Sequence, residues 1–370
     1  MNVTNPSGYV PLKYIYSAER LDELGQLLRI QYPSFAHTKW MSHFQTAEWH
    51  QAELKHRVSL VAHAFYAQLP KDYNTAIDIL IPVSQQMAYG YFGVIFSEYV
   101  ALYGRKHWDK SMEAMAIFTQ TSSAEFAIRY FIQDDPKRAM QQMAQWSKDL
   151  NHHIRRLSSE GCRPRLPWGM KLQLFIDDPK PTLSILERLK ADPELYVRKS
   201  VANHLNDISK DNPEVAIDTA KKWIGTHRDT DWIVKHGLRG LLKAGHPEAL
   251  ALFGQEASAH LTVEHCRLHQ SELTLGDVLQ FEVRVQNQSD DIVKLRLEYA
   301  IDYVKANGKT SRKVFQWTAK DLDPGIHTFK KKQVLKDFTT RKHYAGVHGW
   351  ACLINGEEKA SLSFTLMTGA

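Results

Sequence analysis

Asp192-Pro193-Glu194-Leu195-Tyr196-Val197-Arg198-Lys199-Ser200-Val201-Ala202 is the stretch whose reading decides the fold. Pro193 stands near the start of a helical pattern, where its missing N–H costs nothing. After it, apolar residues recur at helical spacing with charges between them. Working outward, related segments lie on both sides. Asp177-Asp178-Pro179-Lys180 repeats Asp134-Asp135-Pro136-Lys137, and the same step carries Ile154-Arg155-Arg156 onto Val197-Arg198-Lys199. A looser copy, Val234-Lys235-His236, follows.

Paired helices repeating at roughly 40 residues are the signature of HEAT or armadillo-like arrays. Such units bury their apolar stripes only by stacking, which builds a curved solenoid with a long concave face. Residues 1–110 carry helical spacing without a clean repeat, as at Leu21, Leu24, Leu27 and Leu28 and again at Leu54, Val58 and Val61. These read as atypical helices that begin and cap the array. Near residue 257 the period changes from helical to two. Leu279 to Val285 alternates as a half-buried strand, Leu295 to Tyr299 continues the style, and Asn307-Gly308 and Asn355-Gly356 read as two-residue hairpin turns. The expected architecture is a mainly α, HEAT-like solenoid over 1–257, catalytic and DNA-binding. An all-β immunoglobulin-like sandwich of about seven strands over 258–370 follows as a DNA-contacting accessory domain.

A composition of 43% hydrophobic and 24% charged residues describes an ordinary globular chain and argues against disorder. The formal charge of +6 favours a polyanionic partner without requiring one. Cys162, Cys266 and Cys352 are sparse and odd in number, which opposes a disulfide framework or a structural zinc site and fits a reducing compartment. The first residues do not read as a signal peptide. The apolar segment from Ile77 to Val100 is broken by Pro82, Gln85, Gln86, Gly90 and Glu98, and reads as a buried helical stretch instead of a membrane span. Phosphate-loop, dinucleotide, zinc-protease and nucleophile-elbow motifs are all missing. The His152-His153 pair reads as part of a solvated helix face. No cofactor and no metal are expected.

A basic row follows the repeat: Arg155, Arg156, Arg163, Arg165 and Lys171, then Arg198 and Lys199, then Lys235, Arg239 and Lys243. Equivalent positions of stacked helices point the same way, so the row should form a positive stripe for phosphates, although a solvated face with local ion pairs is the ordinary alternative. Lys331 and Lys332, in a run with Lys330, Lys336, Arg341 and Lys342, add charge in the sandwich; protective edge lysines are the plainer reading there. In Arg163-Pro164-Arg165-Leu166-Pro167-Trp168-Gly169 two prolines hold Trp168 on a stiffened loop, where an indole either plugs a gap between helices or stacks on a base. Three acids stand out. Glu125 closes Ser122-x-x-Glu125, whose spacing alone is a capping box. Glu160 ends the helix His152 to Glu160, where the helix dipole disfavours an acid; it is also spaced for a pair with Arg156. Asp207 closes the helix Val197 to Asp207, where an acid is ordinarily solvated.

The segment Arg163 to Gly169 resembles the signature of the AlkC alkylpurine glycosylases, relatives of the AlkD family within the HEAT-like glycosylase superfamily. Ser123-Ala124-Glu125-Phe126-Ala127-Ile128-Arg129 and Glu53-Leu54-Lys55-His56-Arg57-Val58 resemble other AlkC stretches. The similarity spans about residues 10 to 255, and the β-rich part is similar to the Ig-like extension of one AlkC branch. The resemblance implies a monofunctional DNA N-glycosylase that removes N3-methyladenine and N3-methylcytosine from duplex DNA. It implies no cofactor and no lyase step. Its catalytic glutamate falls at Glu125, with Glu160, Trp168 and Asp207 as further catalytic candidates. AlkD's own Trp and Asp constellation is not intact in this chain, so AlkC-type acids must replace it. A cytoplasmic monomer acting on double-stranded DNA with alkylated bases is expected, with no membrane or protein partner. The competing readings are a HEAT scaffold for a protein and a non-catalytic nucleic-acid binder.

Overall fold

The computed structural model describes residues 10–87, 90–253, 260–337 and 342–367. It is α-helical up to the helix Pro247–Ala251 and β from Leu261 onward, so the change of period marks the change of structure. Packing divides the chain elsewhere, into one unit running to Asn212 with residues 227–233, and a second of residues 213–226 with 234–370. The terminal helices therefore pack with the sandwich, which the chain's sequence pattern does not show.

In the first unit the repeats are visible as helix pairs. Pro136–Trp146 pairs with His152–Glu160, and Lys180–Leu189 pairs with Leu195–Asp211. Their starts follow from sequence: Asp135 accepts from the Arg138 N–H at 3.0 Å with Pro136 at the first helical position, and Asp178 accepts from the Lys180 N–H at 3.1 Å. The stack is stitched by a charge ladder at repeat-equivalent positions. Arg155 donates to both oxygens of Asp192 (2.7 and 3.0 Å), and Arg198 lies 3.5 Å from Asp229 one repeat on. Each of these arginines also donates to two backbone carbonyls that precede its own helix. The earlier helices pack around aromatic side chains. Trp40 stacks on Phe65 at 5.4 Å and donates to the Leu21 carbonyl, and Gly25 is needed beneath it, because a Cβ there would meet the indole at 2.6 Å.

Among the described residues the second unit carries eight strands: β1 (Leu261–Leu268), β2 (Glu272–Thr274), β3 (Val278–Asn287), β4 (Val293–Val304), β5 (Thr310–Leu322), β6 (Gly325–Val334), β7 (Gly346–Ile354) and β8 (Glu357–Met367). They form a three-stranded sheet, β1-β3-β6, and a five-stranded sheet, β2-β8-β7-β4-β5. The alternation of β3 places Leu279, Phe281, Val283 and Val285 on the inner face, against Tyr299, Ile301, Trp350 and Phe364 of the other sheet. The eighth strand, β2, has three residues and pairs in parallel with β8, too short to show in a period. Asn355-Gly356 is a two-residue turn with positive φ at both positions, as expected. Asn307-Gly308 is not: Lys305 N–H bonds the Lys309 carbonyl, so the turn takes one more residue. Arg341 lies outside the described residues.

Candidate active site

The helix Trp108–Thr121 ends at Ser122, whose φ of −147° and ψ of −123° take the chain out of the helix. The next helix, Ile128–Asp134, starts only three residues after Glu125. No capping box forms. The Ser122 hydroxyl finds no partner, while Ser123 takes Glu125 instead, accepting from its N–H at 3.2 Å and donating to its Oε2 at 2.8 Å. Glu125 is thereby turned toward the helix His152–Glu160, where Arg156 Nη1 meets its Oε2. The same guanidinium lies 3.4 Å from Glu160, one turn on.

Glu160 has a second cation. Arg163 Nη1 donates to its Oε1 at 2.6 Å, and Arg163 Nε donates to Asp207 at 2.9 Å. Burial alone would raise the Glu160 carboxyl, but Arg156 and Arg163 hold it below its ordinary value and keep it ionised. The result is a chain of alternating sign: Asp207, Arg163, Glu160, Arg156, Glu125. Glu160 and Asp207 are 7% and 1% exposed, Glu125 15%. Exposure therefore rises toward Glu125.

That end opens into a hollow of about 610 Å3, whose lining includes Glu125, Arg156, Glu160 and Trp168. Tyr91, Phe126, His153 and Tyr196 also line it. Trp168 is 61% exposed and non-helical, with φ of 63° in a region that bulky residues seldom enter. Its loop is held from several sides. Arg129, fully buried, donates to the carbonyls of Met170 (2.8 Å) and Gly161 (2.9 Å), and to Pro164 at 3.5 Å. Lys55 donates to the Trp168 carbonyl, and Leu172 N–H bonds the Pro164 carbonyl at 3.1 Å. Three stretches far apart in sequence, around Lys55, Arg129 and Trp168, thus meet at one loop.

Asp207 sits apart from the hollow. The helix that carries it runs to Asp211, so Asp207 lies a turn inside its end, buried and bonded to Arg163 and Lys210. Several members of the basic row are likewise occupied. Arg163 is buried between two acids, Arg155 and Arg198 serve the repeat ladder, and Arg165 grips Asp211 with two bonds of 2.5 and 2.6 Å. Repeat-locked placement arises here because each arginine faces an acid of its own solenoid, which leaves Arg163 enclosed instead of on a phosphate-facing surface. Lys171, Lys199, Lys235 and Arg239 are exposed. In the second unit, Lys235, Arg239, Lys243, Arg296, Lys313 and Lys331 line a separate hollow of about 870 Å3 with no acid in its lining; Lys332 is exposed on β6. Among the described residues no group of three or more His, Cys, Asp or Glu is placed to hold a metal ion, and no helix is long and apolar enough to cross a membrane.

Tyr91 and Tyr196 carry no signal in the sequence reading. Tyr91 faces Trp168 edge-on at 6.2 Å, and Tyr196 accepts the Arg156 guanidinium over its ring at 5.0 Å. A tyrosine between Gly90 and Gly93 was the available clue to the first. Tyr196 lies in the repeat segment Asp192 to Ala202, where helical spacing accounts for the apolar residues without it.

Comparison with known proteins identifies the family. Residues 117–241 match the family model described as DNA alkylation repair enzyme, and residues 262–368 match that of the YhaZ C-terminal Ig-like domain. YhaZ of Bacillus subtilis (strain 168) is 42% identical over 354 residues, which cover 95% of this chain and 98% of that protein. The solved structure of Pseudomonas fluorescens alkylpurine DNA glycosylase AlkC, bound to DNA containing an abasic site analog, is 38% identical, with a TM-score of 0.89 over 97% of this chain and all of that one. On this similarity over nearly its whole length, the chain belongs to the DNA alkylation repair enzyme family, as an AlkC-like member with a C-terminal Ig-like domain.

Proposed function

We propose that the protein is a monofunctional DNA glycosylase that hydrolyses the N-glycosidic bond of N3-alkylated bases, N3-methyladenine and N3-methylcytosine, in duplex DNA. The observation that carries the reading is the shared hollow: two carboxylates bridged by Arg156, beside an exposed indole. An N3-alkylated adenine or cytosine already carries positive charge, so its bond to the sugar is weak and the leaving group needs no proton. What the reaction needs is negative charge near the deoxyribose and a positioned water. Glu125, the more exposed acid, is assigned to the water: oxygen bonds to C1′, the C1′–N electron pair leaves with the base, and the carboxylate assists loss of the water proton. Glu160, held anionic by its two arginines, stabilises the oxocarbenium-like sugar. Trp168 lends an aromatic face to the cationic base, an attraction of about 2 kcal/mol when desolvated. Asp207 contributes through Arg163. No cofactor is required.

Lys171, Lys199, Lys235, Arg239, Lys331 and Lys332 are assigned to the phosphate backbone. The acid-free basic hollow supports a DNA-gripping role for the second unit. Arg155, Arg165 and Arg198, bonded within the first unit, serve DNA binding by holding its repeat helices in place. The protein is proposed to act as a cytoplasmic monomer. The deciding experiment incubates the protein with duplex bearing N3-methyladenine and measures free base. Release above the uncatalysed rate is expected, with Glu125→Gln slowing it roughly 10²-fold or more while DNA affinity is retained. A wild type that releases no base, or a variant that loses affinity and rate together, overturns the assignment.

A further inference from the structure

Trp168 is shared by two hollows. Tyr91, Val94, Phe126 and Trp168 line the first and also a second, of about 460 Å3, so the two adjoin along a largely aromatic wall. The second is closed by Ser59, Glu98 and Tyr130, none of which touches the first. Its volume lies within the range of about 300–1,000 Å3 usual for small-molecule sites.

The lining selects a kind of ligand. Tyr91, Phe126, Tyr130 and Trp168 offer aromatic surface for a flat ring. Glu98 offers a carboxylate, steadied by the Ser59 hydroxyl, which donates to its Oε1 at 2.7 Å. A carboxylate among aromatic faces favours a planar heterocycle with amine donors or positive charge. Lys55 also lines this hollow, where its ammonium donates to the Trp168 carbonyl 5.4 Å from the centre of the Phe126 ring. Tyr91 stands between the two acids: burial first, then Glu98 and Glu125, push its phenol above the ordinary value, so it remains a neutral donor on the shared wall.

Once the C1′–N bond is broken, the base is no longer tethered to DNA, and the shared aromatic wall leads past Trp168. We propose that this second hollow is a binding site for the released N3-alkylated base, a reading that rests on the glycosylase assignment. Glu98 holds the base through its amine edge, and the indole covers one face.

The test uses the full chain without DNA, titrated with 3-methyladenine by calorimetry, together with inhibition of excision by added 3-methyladenine. Glu98→Gln, which keeps the size of the side chain, is expected to weaken binding and inhibition roughly tenfold. The single-turnover excision rate, set before release, should stay within about twofold of wild type, which also shows that the variant folds. Glu125→Gln, in the first hollow only, should leave binding of the free base unchanged. Absence of binding to wild type, equal affinity in Glu98→Gln, or loss of binding in Glu125→Gln each overturns the proposal. Binding is read without chemistry. An inactive wild type that binds the base therefore counts against the glycosylase reading, whereas an active one that does not bind it counts against the second hollow.

Discussion

Replacing Arg163 by methionine tests whether the buried charges act as one unit. The guanidinium bridges Glu160 and Asp207, and all three side chains are at most 8% exposed. Methionine keeps much of the volume and removes the charge, so two buried carboxylates lose a shared partner. Glu160 retains Arg156 at 3.4 Å, and Asp207 retains the half-exposed Lys210 at 3.0 Å. Breaking a buried pair on one side costs about 3–5 kcal/mol. For a folding unit of this size, with about 2–4 °C per kcal/mol, the melting temperature should fall by roughly 6–20 °C. The pH dependence carries the sharper information. In wild type Glu160 lies below its ordinary value, so its ion pairs stabilise the fold at neutral pH, and that contribution is lost as pH falls from the ordinary value through the depressed one. Without Arg163, burial is less opposed, the carboxyl titrates higher, and protonation relieves the uncompensated charge. The gap between variant and wild type should therefore be widest near neutrality and narrow toward pH 4 to 5. Urea unfolding, followed by far-ultraviolet circular dichroism at two pH values, measures it. A gap under about 1 kcal/mol at neutral pH, or one independent of pH, would refute the coupled-charge argument.

Other perturbations separate the remaining roles. His204, buried and bonded to the Ser159 carbonyl at 2.9 Å, is held by burial at about 4, so it is neutral in the fold; as pH falls from 6.5 toward 4 the unfolded chain takes up the proton, stability should decline, and His204→Gln should flatten that decline in an unfolding series. Lys55→Met removes the donor to the Trp168 carbonyl; excision should slow several-fold in wild type and hardly at all in a Trp168→Ala background, and additive losses would show that Lys55 acts elsewhere. Joint substitution of Lys235, Arg239 and Lys243 by glutamine should weaken binding to undamaged duplex and reduce its salt slope by up to about three, with an unchanged slope arguing against phosphate contact there.

Legibility followed the length scale of the physics. Solenoid and sandwich were readable because period and repeat report which faces are buried, and these are summed over many residues. Single-residue roles were not readable in this way. Ser122-x-x-Glu125 satisfies the spacing of a capping box, yet the helix begins only at Ile128, since Ser123 captures the carboxylate first and Arg156 holds it. Spacing along the chain carries no information about an arginine thirty residues on. Part of the basic row is internal for a related reason: repeat-equivalent arginines do point alike, but the next repeat supplies Asp192 and Asp229 at matching positions, so Arg155 and Arg198 form an internal ladder. Asp192 stands beside Pro193 and Asp229 beside Arg228 in the sequence, and acids matched with bases at the repeat period carry the pairing. The convergence of Lys55, Arg129 and Trp168 on one loop needed the fold itself.

The alternation from Asp207 to Glu125 explains how three acids share so small a volume. Each arginine is shared by two carboxylates, and Lys210 adds a third cation 3.0 Å from Asp207. The inner acids are thus enclosed between cations, whereas Glu125 lies at the end nearest water. A carboxylate fixed at the mouth of a hollow costs less there than in the interior, yet its field is weakly screened on the side facing the protein. In the proposed reaction a cationic nucleotide entering the hollow extends the alternation by one member, and the sugar that turns cationic as the base departs inherits the same place. The arginines thus do two jobs at once: they keep buried carboxylates ionised, and they hold Glu125 at the mouth of the hollow, where a positive charge can approach it. If Arg156 were replaced by a neutral residue, the acids would repel one another and at least one would take a proton, so attraction for the cation would not rise as simple charge counting suggests. The useful quantity is a carboxylate that stays charged and stays put, and that requires the pairing which partly offsets it.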